Sequence, residues 1–309
     1  MQFIRGLHNV HGASLTQGVV ATIGGFDGVH LGHQALLAAL NDKARALHLP
    51  SMVISFEPSP REYFMKDDAP SRLQRWRDKF QALAQSNVDL FACLRFNAAL
   101  QAMSADAFVE TVLRDALQVR WLIVGHDFRF GRGRSGDVAR LQALGAVHDF
   151  GVDEFPAFMV DQQRVSSTLI REALIAGDLH RANALLGRPF SIAGRVVRGN
   201  QLGRTLGFPT ANIRMHRLIA LRGVFAVRVS GAGLHSAPAV ASVGTRPVVN
   251  GTEPLLEVSV FNFTGDLYNR QLKVDFVARL RDEKWFPSLD ALKEQMLIDA
   301  EQARKILHV

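Results

Sequence analysis

Two histidines lie close together in a glycine-rich stretch that follows an apolar run. The stretch GGFDGVHLGH covers residues 24–33 and comes directly after VVATI, residues 19–23. If a helix begins near Val29, His30 and His33 project from the same side of its first turn, where unpaired backbone N–H groups attract anions. The positive end of the helix dipole disfavours the imidazolium, so we expect neutral rings that donate hydrogen bonds to phosphate. Histidines that only cap a helix are the alternative interpretation.

A second polar group, VSSTLIR at residues 165–171, also precedes a helix-like stretch. Ser166, Ser167 and Thr168 are residue types that cap helix N-termini, and capping alone would explain them. Arg171 would then lie in the first turn, where a cation opposes the helix dipole unless an anion lies between them. This mismatch favours a phosphate ligand, and a surface arginine is the alternative.

The segment FRFGRGR, residues 128–134, follows the apolar run VRWLIVG. Taken alone, it has the composition of an arginine-glycine segment that binds RNA, with aromatic rings to stack on bases. Its place after a strand, at the ligand-binding end of a sheet, instead favours a small-molecule site. Phe128, Arg129 and Phe130 could supply a flat apolar surface and a cation.

An acidic residue, Glu257, interrupts the apolar run LLEVSV. A buried, unpaired carboxylate is costly, so Glu257 is either functional or turned toward solvent by the alternation of a strand. Upstream, Thr210 and Asn212 occupy alternate positions of the PTAN segment and offer the hard oxygen ligands that magnesium prefers. The P-loop lysine pattern is absent from this region, so its glycines are weak evidence for a phosphate turn. These glycines are Gly199, Gly203 and Gly207.

The elements that must position these residues differ between the two parts of the chain. In the first part, apolar runs spaced about thirty residues apart alternate with helix-period stretches such as the one that carries Leu36, Leu40 and Leu47. Strands that are apolar along their whole length predict parallel pairing with helices on both faces, and therefore a doubly wound α/β sheet. The predicted strands are residues 19–23, 52–56, 88–94 and 119–124.

After about residue 187 the pattern changes to short β-type runs separated by glycine-rich turns, which predicts an antiparallel barrel or sandwich. A final helix is predicted to begin near Pro287 and Ser288 and to pack on these strands through an apolar stripe. The stripe comprises Leu289, Leu292, Met296, Ala300, Ala303 and Leu307.

Length and composition indicate a soluble, globular chain with two domains. The chain has 309 residues, 48% of them hydrophobic and 21% charged. No apolar run approaches the roughly 20 residues that a membrane-spanning helix needs. The N-terminus lacks a signal-peptide core, and the single cysteine, Cys93, excludes a disulfide framework or a cysteine metal site. We therefore expect a cytoplasmic protein without a membrane partner.

The net charge of +7 comes entirely from the second part of the chain. Residues 1–186 contain equal numbers of basic and acidic side chains, whereas residues 187–309 carry the whole basic excess. This asymmetry either serves solubility or attracts an anionic ligand. No run of five or six like charges is present, so a nucleic-acid-binding arm is not expected.

With these motifs in place, the chain resembles the bacterial bifunctional riboflavin kinase/FAD synthetases. HLGH has the form of the HIGH signature of the nucleotidylyltransferase superfamily, and GGFDGVHLGH is similar to the first motif of this family. Further similar motifs follow in the same order along nearly the whole chain. They are FEPSPRE (56–62), VGHDFRFGRGRSGD (124–137), VSSTLIREAL (165–174), GNQLGRTLGFPTANI (199–213), SVGTRPVVNG (242–251) and LEVSVFNFTGDLY (256–268).

The resemblance implies a fold and two activities. We expect an FMN adenylyltransferase domain over residues 1–186, with a doubly wound parallel sheet, and a riboflavin kinase domain over residues 187–309, with an antiparallel β-barrel and a C-terminal helix. The expected reactions are phosphorylation of riboflavin to FMN and transfer of AMP to FMN, which gives FAD and pyrophosphate. Both would use ATP with Mg²⁺ or another divalent metal. A homo-oligomer is compatible with the sequence, and no nucleic-acid partner is expected.

The resemblance also implies roles for individual residues. His30, His33 and Arg171 would stabilise charge during AMP transfer, and Glu257 would accept the hydroxyl proton in the kinase reaction, with Thr210 and Asn212 holding the metal. The residues expected to bind ATP or its phosphates are Gly24, Gly25, Phe26, Asp27, Gly28, Ser166, Ser167, Thr168, Gly199, Gly203, Gly207, Thr210 and Asn212. The residues expected to bind flavin are Phe56, Pro58, Asp127, Phe128, Arg129, Phe130 and Arg281.

Some positions depart from the family pattern or allow another interpretation. Asp27 could serve the turn as well as a nucleotide. Ser59 and Asn262 stand where other polar residues are usual, and Asn269 replaces a glycine, although asparagine tolerates the left-handed conformation. A flavin- or nucleotide-binding regulator without turnover, or a kinase with an inactive first domain, are the alternative functions.

Overall fold

The computed structural model describes residues 1–12, 15–199, 208–215, 219–248 and 251–309. These residues form two compact units. The first unit comprises Met1–Pro70 and Trp76–Val165, and the second comprises Ser71–Arg75 and Ser166–Val309. The helical connection before residue 187 therefore groups with the C-terminal strands, while the limits of the two activities along the chain stay a prediction.

The first unit is built on a parallel sheet of six strands, in the order β1-β4-β3-β2-β5-β6. Every neighbouring pair is parallel. The strands are β1 (Gln2–Arg5), β2 (Val19–Ile23), β3 (Ser51–Glu57), β4 (Leu90–Arg95), β5 (Val119–Gly125) and β6 (Gly151–Phe155). The predicted doubly wound sheet is confirmed, and two edge strands, β1 and β6, extend it beyond the four that were predicted.

Helices connect these strands. The α-helices of this unit are α1 (Leu31–Leu47), α2 (Pro60–Met65), α3 (Trp76–Gln85), α4 (Ala98–Ala102), α5 (Ala105–Ala107) and α6 (Val138–Val147). A π-helical segment, Phe108–Ala116, continues α5, and short 3₁₀ turns cover Leu7–Gly12, Lys66–Asp68 and Arg132–Arg134. A small hairpin pairs β7 (Met159–Val160) with β8 (Gln163–Arg164).

Alternate residues of the central strands pack into two separate cores. Ala21 of β2 lies in one cluster with Val112 of the π-helical segment, whereas Val20 lies in another with Leu37 of α1 and Leu83 of α3. Both faces of β2 are therefore buried, as all five of its residues show. This arrangement explains why four of the five residues of the strand are apolar, without an alternation of apolar and polar positions; the exception is the buried Thr22.

The strand order reverses between β2 and β5. From β2 the chain adds β3 and then β4 on one side, and it then crosses to place β5 on the other side of β2. Ligands of open α/β sheets bind in the crevice at such a switch point, beyond the carboxyl ends of the strands. The segment 24–33 follows β2 and the segment 126–134 follows β5, so both motifs begin at this point of the sheet.

The second unit contains a closed antiparallel barrel, in the order β10-β13-β12-β11-β14-β9. Two helices precede it, α7 (Ser167–Ile175) and α8 (Leu179–Leu186). The strands are β9 (Ser191–Val197), β10 (Ala211–Arg214), β11 (Gly223–Gly231), β12 (Leu234–Val248), β13 (Gly251–Val260) and β14 (Gln271–Arg281). All neighbouring pairs are antiparallel, so the predicted barrel is confirmed and the sandwich alternative is excluded.

The C-terminal helix, α9 (Leu289–Leu307), packs on the barrel as predicted. Ser288 caps it, since its Oγ accepts a hydrogen bond from the Ala291 N–H at 3.2 Å. The prediction of the apolar stripe is only partly correct. Ala303 and Leu307 are buried against Ala226, whereas Leu289 is exposed. Among the helices that the structure describes, none combines the length and the apolar character needed to span a bilayer.

Candidate active sites

The stretch between β2 and α1 forms a strained turn. Phe26, Gly28 and Val29 have φ values of +46°, +92° and +38°. Glycine adopts such values readily, but a β-branched valine there is a conformational outlier. Strain of this kind persists only where the surroundings fix it, and Phe26 and Val29 are both buried. Packing therefore holds the backbone of this turn in one shape.

The following helix begins two residues later than predicted. Val29 is left-handed and His30 is extended, with ψ of 173°, so α1 starts at Leu31 and not at Val29. His30 is the N-cap, and its Nδ1 accepts a hydrogen bond from the His33 N–H at 3.2 Å. The capping interpretation is thus correct for His30, but it does not account for the position of the His33 ring.

The two imidazole rings are stacked, with centroids 3.6 Å apart and planes inclined by 14°. Burial lowers the pKa of His33 well below its ordinary value, and the charges of His30 and Lys79 lower it further. Nδ1 of His33 is buried without a hydrogen-bond partner in the described part of the chain. The His33 ring is therefore neutral at neutral pH, as expected, although burial and not the helix dipole is the main cause.

Sequence analysis did not identify Lys79, which the structure brings to this turn. It lies on α3, is only 8% exposed, and its Nζ donates a hydrogen bond to the Gly25 carbonyl at 2.8 Å. The sequence of α3, WRDKFQALAQ, contains several charged and polar residues and does not mark this lysine as buried. Buried lysines are rare in folded proteins, so its position at the glycine turn is informative.

The glycines of the turn have different surroundings. A Cβ on Gly24 would lie 2.9 Å from the Phe26 ring, so a side chain does not fit there. A Cβ on Gly25 would meet no described atom within 4 Å. Open space beside Gly25, at the end of β2, suits a ligand that approaches the backbone closely. Asp27 is half-buried in the same turn, and its role stays a prediction.

The segment after β5 contains the predicted flavin residues Asp127, Phe128, Arg129 and Phe130. The rings of Phe128 and Phe130 are stacked, with centroids 5.6 Å apart, but Phe130 is buried in the core and also packs on Phe108. Arg129 is exposed, and its Nη1 donates to the Phe128 carbonyl at 3.0 Å. Phe130 is thus the one member of this group that is buried, whereas Asp127, Phe128 and Arg129 are at least partly exposed.

Asp127 is engaged by a cation of the same unit. Arg164 Nη2 lies 2.8 Å from Asp127 Oδ2. Partial burial acts to raise the pKa of this carboxyl, but the hydrogen bond and the charge of Arg164, with a smaller contribution from His126, lower it overall. Asp127 is therefore ionised and held by its partner, and its predicted contact with flavin is untested.

The end of β3 carries the next group of predicted flavin residues. Phe56 is half-buried against the core and contacts the Phe96 ring edge-on, with centroids 5.9 Å apart. Pro58 follows Glu57 through a cis peptide bond. Ser59, which departs from the family pattern, forms a capping box with Glu62 at the start of α2. Its side chain therefore has a structural function.

In the second unit, α7 begins at Ser167 and Ser166 is its N-cap. Ser166 Oγ accepts a hydrogen bond from the Leu169 N–H at 3.2 Å, while Thr168 is exposed. Arg171 is the fifth helical residue and lies in the second turn, not in the first as predicted. The argument from an opposing dipole is therefore wrong, because that effect is confined to the first turn. Arg171 Nε instead donates to the Ser71 carbonyl at 2.6 Å.

The barrel brings the predicted kinase residues together across two strands. In the β10–β13 pair, Asn212 lies directly opposite Glu257, and Ser242 of β12 lies opposite Glu257 on its other side. Leu256 and Val258 are buried, whereas Glu257 faces outward and is exposed, so the alternative of a solvent-facing Glu257 is correct and the argument from a buried carboxylate is wrong. Side chains of opposed residues on one face lie within reach of each other, which places the amide and the carboxylate in one site.

Asn212 is 4% exposed and is held by its neighbours. Its Nδ2 donates to the Thr210 carbonyl at 3.3 Å. A Cβ on Gly199 would lie 2.6 Å from Nδ2 and 2.7 Å from Oδ1, so this glycine makes room for the amide. Gly203 and Gly207 lie outside the described residues. Gly199 therefore allows close approach of the Asn212 side chain, and its predicted contact with phosphate is untested.

A cavity of about 280 Å³ opens beside Thr210. It lies between the start of β10, the end of β13 and the loop that follows β13. Its lining comprises Val196, Pro209, Thr210, Ala211, Val258, Val260, Phe263, Thr264, Gly265, Asp266, Leu267 and Tyr268. Asn262 and Asn269, which flank this loop, have φ of +53° and +60°, the left-handed conformation that asparagine was expected to tolerate.

Arg281, a predicted flavin residue, is paired within the barrel unit. Its Nη2 lies 2.7 Å from Oδ2 of Asp299, a nearly fully buried residue of α9, and its Nε donates to both carboxylate oxygens. Nη1 donates to the Asp282 carbonyl at 2.8 Å. The guanidinium therefore ties α9 to the end of β14, and its predicted flavin contact is untested.

The described residues contain no group of three or more His, Cys, Asp or Glu side chains that could hold a metal ion. The metal ligands predicted for the kinase, Thr210 and Asn212, would instead bind through hydroxyl and amide oxygens.

Comparison with known proteins gives matches to both parts of the chain. The family model for FAD synthetase matches residues 13–169, and that for riboflavin kinase matches residues 186–307. The bifunctional riboflavin kinase/FMN adenylyltransferase of Haemophilus influenzae is 47% identical over 305 residues, 98% of each chain. Its counterpart in Escherichia coli strain K12 is 45% identical over 306 residues, 99% of this chain and 97% of that protein.

A crystal structure from Streptococcus pneumoniae, described as a macrolide-efflux protein, has the same fold. It superimposes with a TM-score of 0.83 at 29% identity, and the match covers 98% of this chain and 99% of that one.

Proposed function

Because the chain belongs to the family of bifunctional riboflavin kinase/FMN adenylyltransferases, we propose that its second unit converts riboflavin to FMN around Glu257 and that its first unit binds the ATP that adenylylates FMN. The substrates are the small molecules riboflavin, FMN and ATP. The observation that carries the adenylyltransferase assignment is the stacked histidine pair at the switch point of the parallel sheet, with His33 neutral.

In AMP transfer the nucleophile needs no general base. An FMN phosphate has its second pKa near 6 by analogy with other phosphate monoesters, so it is largely a dianion at neutral pH. Its oxygen bonds to the α-phosphorus of ATP, and the bond from that phosphorus to the bridging oxygen of pyrophosphate breaks. The requirement is to stabilise charge on the equatorial oxygens and on pyrophosphate. The imidazole N–H groups of His30 and of the neutral His33 supply hydrogen bonds for this purpose.

In the kinase reaction the nucleophile is a hydroxyl group, which does need help. As its oxygen bonds to the γ-phosphorus, the bond to ADP breaks and the hydroxyl proton passes to the Glu257 carboxylate. Glu257 is exposed on the outer face of β13, where a substrate can approach it. The reacting groups are proposed to meet beside Glu257 on this face, since the lining of the cavity beside Thr210 does not include Glu257.

A magnesium ion fits the proposed kinase site without a cage of carboxylates. Mg²⁺ commonly binds through one or two protein oxygens and through substrate phosphates, and it keeps several waters. Asn212 uses its Nδ2 in the bond to Thr210, so its Oδ1 is the atom left for a cation. Thr210 and Asn212 would hold the ion, which would neutralise charge on the transferring phosphoryl group. A cytoplasmic location belongs to the same proposal.

Incubation of riboflavin with ATP, with and without Mg²⁺, tests these assignments by chromatography of the products. FMN followed by FAD is the expected outcome with the metal. FMN alone would show that the first unit is inactive. Absence of both products from a folded protein would leave a flavin- or nucleotide-binding role instead. Activity that persists after exhaustive chelation would remove magnesium from the proposal.

A further inference from the structure

We propose that Lys79 is a positioning residue for AMP transfer, which fixes the Gly25 carbonyl and thereby aims the Phe26 N–H at the phosphate chain of ATP. The inference rests on the proposed function of the first unit and extends it to a residue of α3. Lys79 lies behind the turn in the protein interior, so its effect on ATP is indirect. It acts through the shape and the charge of the turn.

The geometry of the peptide group between Gly25 and Phe26 supports this role. Lys79 Nζ donates to the Gly25 carbonyl at 2.8 Å. The bond from Gly25 to Phe26 is trans, so its C=O and N–H point in opposite directions. A carbonyl held by a buried ammonium group therefore turns the Phe26 N–H away from the interior. Gly25 is exposed, and no described atom lies within 4 Å of the place of its missing Cβ.

The backbone next to this peptide group is strained. Phe26 has φ of +46°, and Gly28 and Val29 are also left-handed. Successive N–H groups in such turns form anion-binding concavities. A left-handed phenylalanine is unfavourable alone, so an external anchor is needed, and the bond from Lys79 to the preceding carbonyl provides one.

The positive charge of Lys79 also acts on the turn. The ammonium group acts on His33, whose ring is stacked on His30 and contacts the Phe26 ring, with centroids 4.9 Å apart. The groups that act on His33 are Lys79 from α3 and His30 from the turn. A permanent positive charge behind the turn adds to the field that an anionic phosphate chain meets. It also opposes protonation of His33, so the ring keeps its neutral form.

The test compares Lys79→Met, which has a similar length without charge, with Lys79→Arg, which retains a cationic donor. With FMN and MgATP as substrates, Lys79→Met should lower kcat/KM for ATP about 100-fold, the size of a lost preorganised donor. Lys79→Arg should recover most of that loss. Riboflavin phosphorylation by the same samples should equal that of the wild type, because Lys79 belongs to the other unit.

A histidine NMR titration of the unliganded protein gives a second readout that does not depend on turnover. In Lys79→Met the pKa of His33 should rise measurably above that of the wild type, because a neighbouring positive charge has been removed. Lys43→Met, in which a lysine of α1 loses its ion pair with Asp153, is the matched control and should change neither readout. Should Lys79→Met prove unstable, Lys79→Gln keeps a donor without charge and is titrated in the same way.

Three outcomes would overturn the inference: wild-type AMP transfer in Lys79→Met, lost transfer with an unchanged His33 pKa, or a Lys79→Arg protein that restores neither property. Failure of the proposed function is a different result, since the wild-type protein would then form no FAD from supplied FMN.

Discussion

Asn212 lies directly opposite Glu257 in the β10–β13 pair, so one register fixes the distance between an amide and a carboxylate that are 45 positions apart in the chain. Pairing of the strands, and not proximity in the chain, makes Asn212 and Glu257 neighbours. Both face outward from the barrel, whose interior is filled by Leu256 and Val258. The proposed kinase site therefore depends on pairing of strands rather than on a loop.

Replacement of Glu257 by Gln should stop FMN formation, with a loss of about 100- to 10,000-fold in kcat, because the riboflavin hydroxyl loses its proton acceptor. Supplied FMN should still be converted to FAD. Glu294→Gln, on the exposed surface of α9, is the control. Loss of both activities in a folded Glu257→Gln protein would refute separate sites.

Gly199→Ala should impair the kinase in a different way. The added methyl group would stand within 2.7 Å of the Asn212 amide, so the amide must move from the position opposite Glu257. A small misplacement of a positioning group commonly costs about 100-fold, and we expect a loss in kcat of this order. Steady-state assays over a range of Mg²⁺ concentrations measure it. A variant with the wild-type rate would argue against Asn212 as a ligand.

The double change His30→Ala with His33→Ala should leave FMN accumulating from riboflavin. Loss of two preorganised donors should reduce FAD formation by about 100- to 1,000-fold or more. The exposed His8→Ala serves as the control in the same unit. Normal FAD output from the double variant would remove the histidines from the mechanism.

Gly25→Ala tests whether the open space of the turn belongs to ATP. The methyl group meets no described atom within 4 Å, so the melting temperature should hardly change. If phosphate occupies that space, the KM for ATP in AMP transfer should rise about tenfold, equivalent to about 1.4 kcal/mol. Riboflavin phosphorylation provides the internal control, and an unchanged KM would place the phosphates elsewhere.

Asp299→Asn should destabilise the barrel unit. Removing one partner of the buried pair leaves the Arg281 guanidinium without its counter-charge, which costs about 3–5 kcal/mol. Chemical denaturation compared with that of Glu294→Gln measures the difference. A change below about 1 kcal/mol, the value of an exposed pair, would show that Arg281 has another partner, such as the predicted flavin.

The sequence predicted those parts of the fold whose burial is evident from their apolar residues. Strands β2 to β5 were recognisable because both of their faces are covered, which requires apolar residues throughout. Strands β1 and β6 lie at the edges of the sheet and were missed, because partial exposure allows polar residues such as Asp153 and Glu154. The barrel followed from period-two alternation and turn residues.

The features that were missed depend on contacts between distant segments. Residue types gave no sign that Val29 would be left-handed, so the start of α1 was placed too early and capping by His30 was only the alternative interpretation. Lys79 is separated from Gly25 by 54 positions, and only the packing of α3 under the turn brings its ammonium group to that carbonyl. Arg171 was placed one turn too near the helix end because several residues before it were equally good caps.

Closure of the barrel has a consequence for how copies of this protein meet. Because β9 and β10 complete the ring, each barrel strand already has a neighbour on both sides. Along the strand pairs that the structure describes, an incoming polypeptide would find backbone groups already engaged by a neighbouring strand. Association through the described strands would therefore depend on side chains of the outer surface rather than on strand addition.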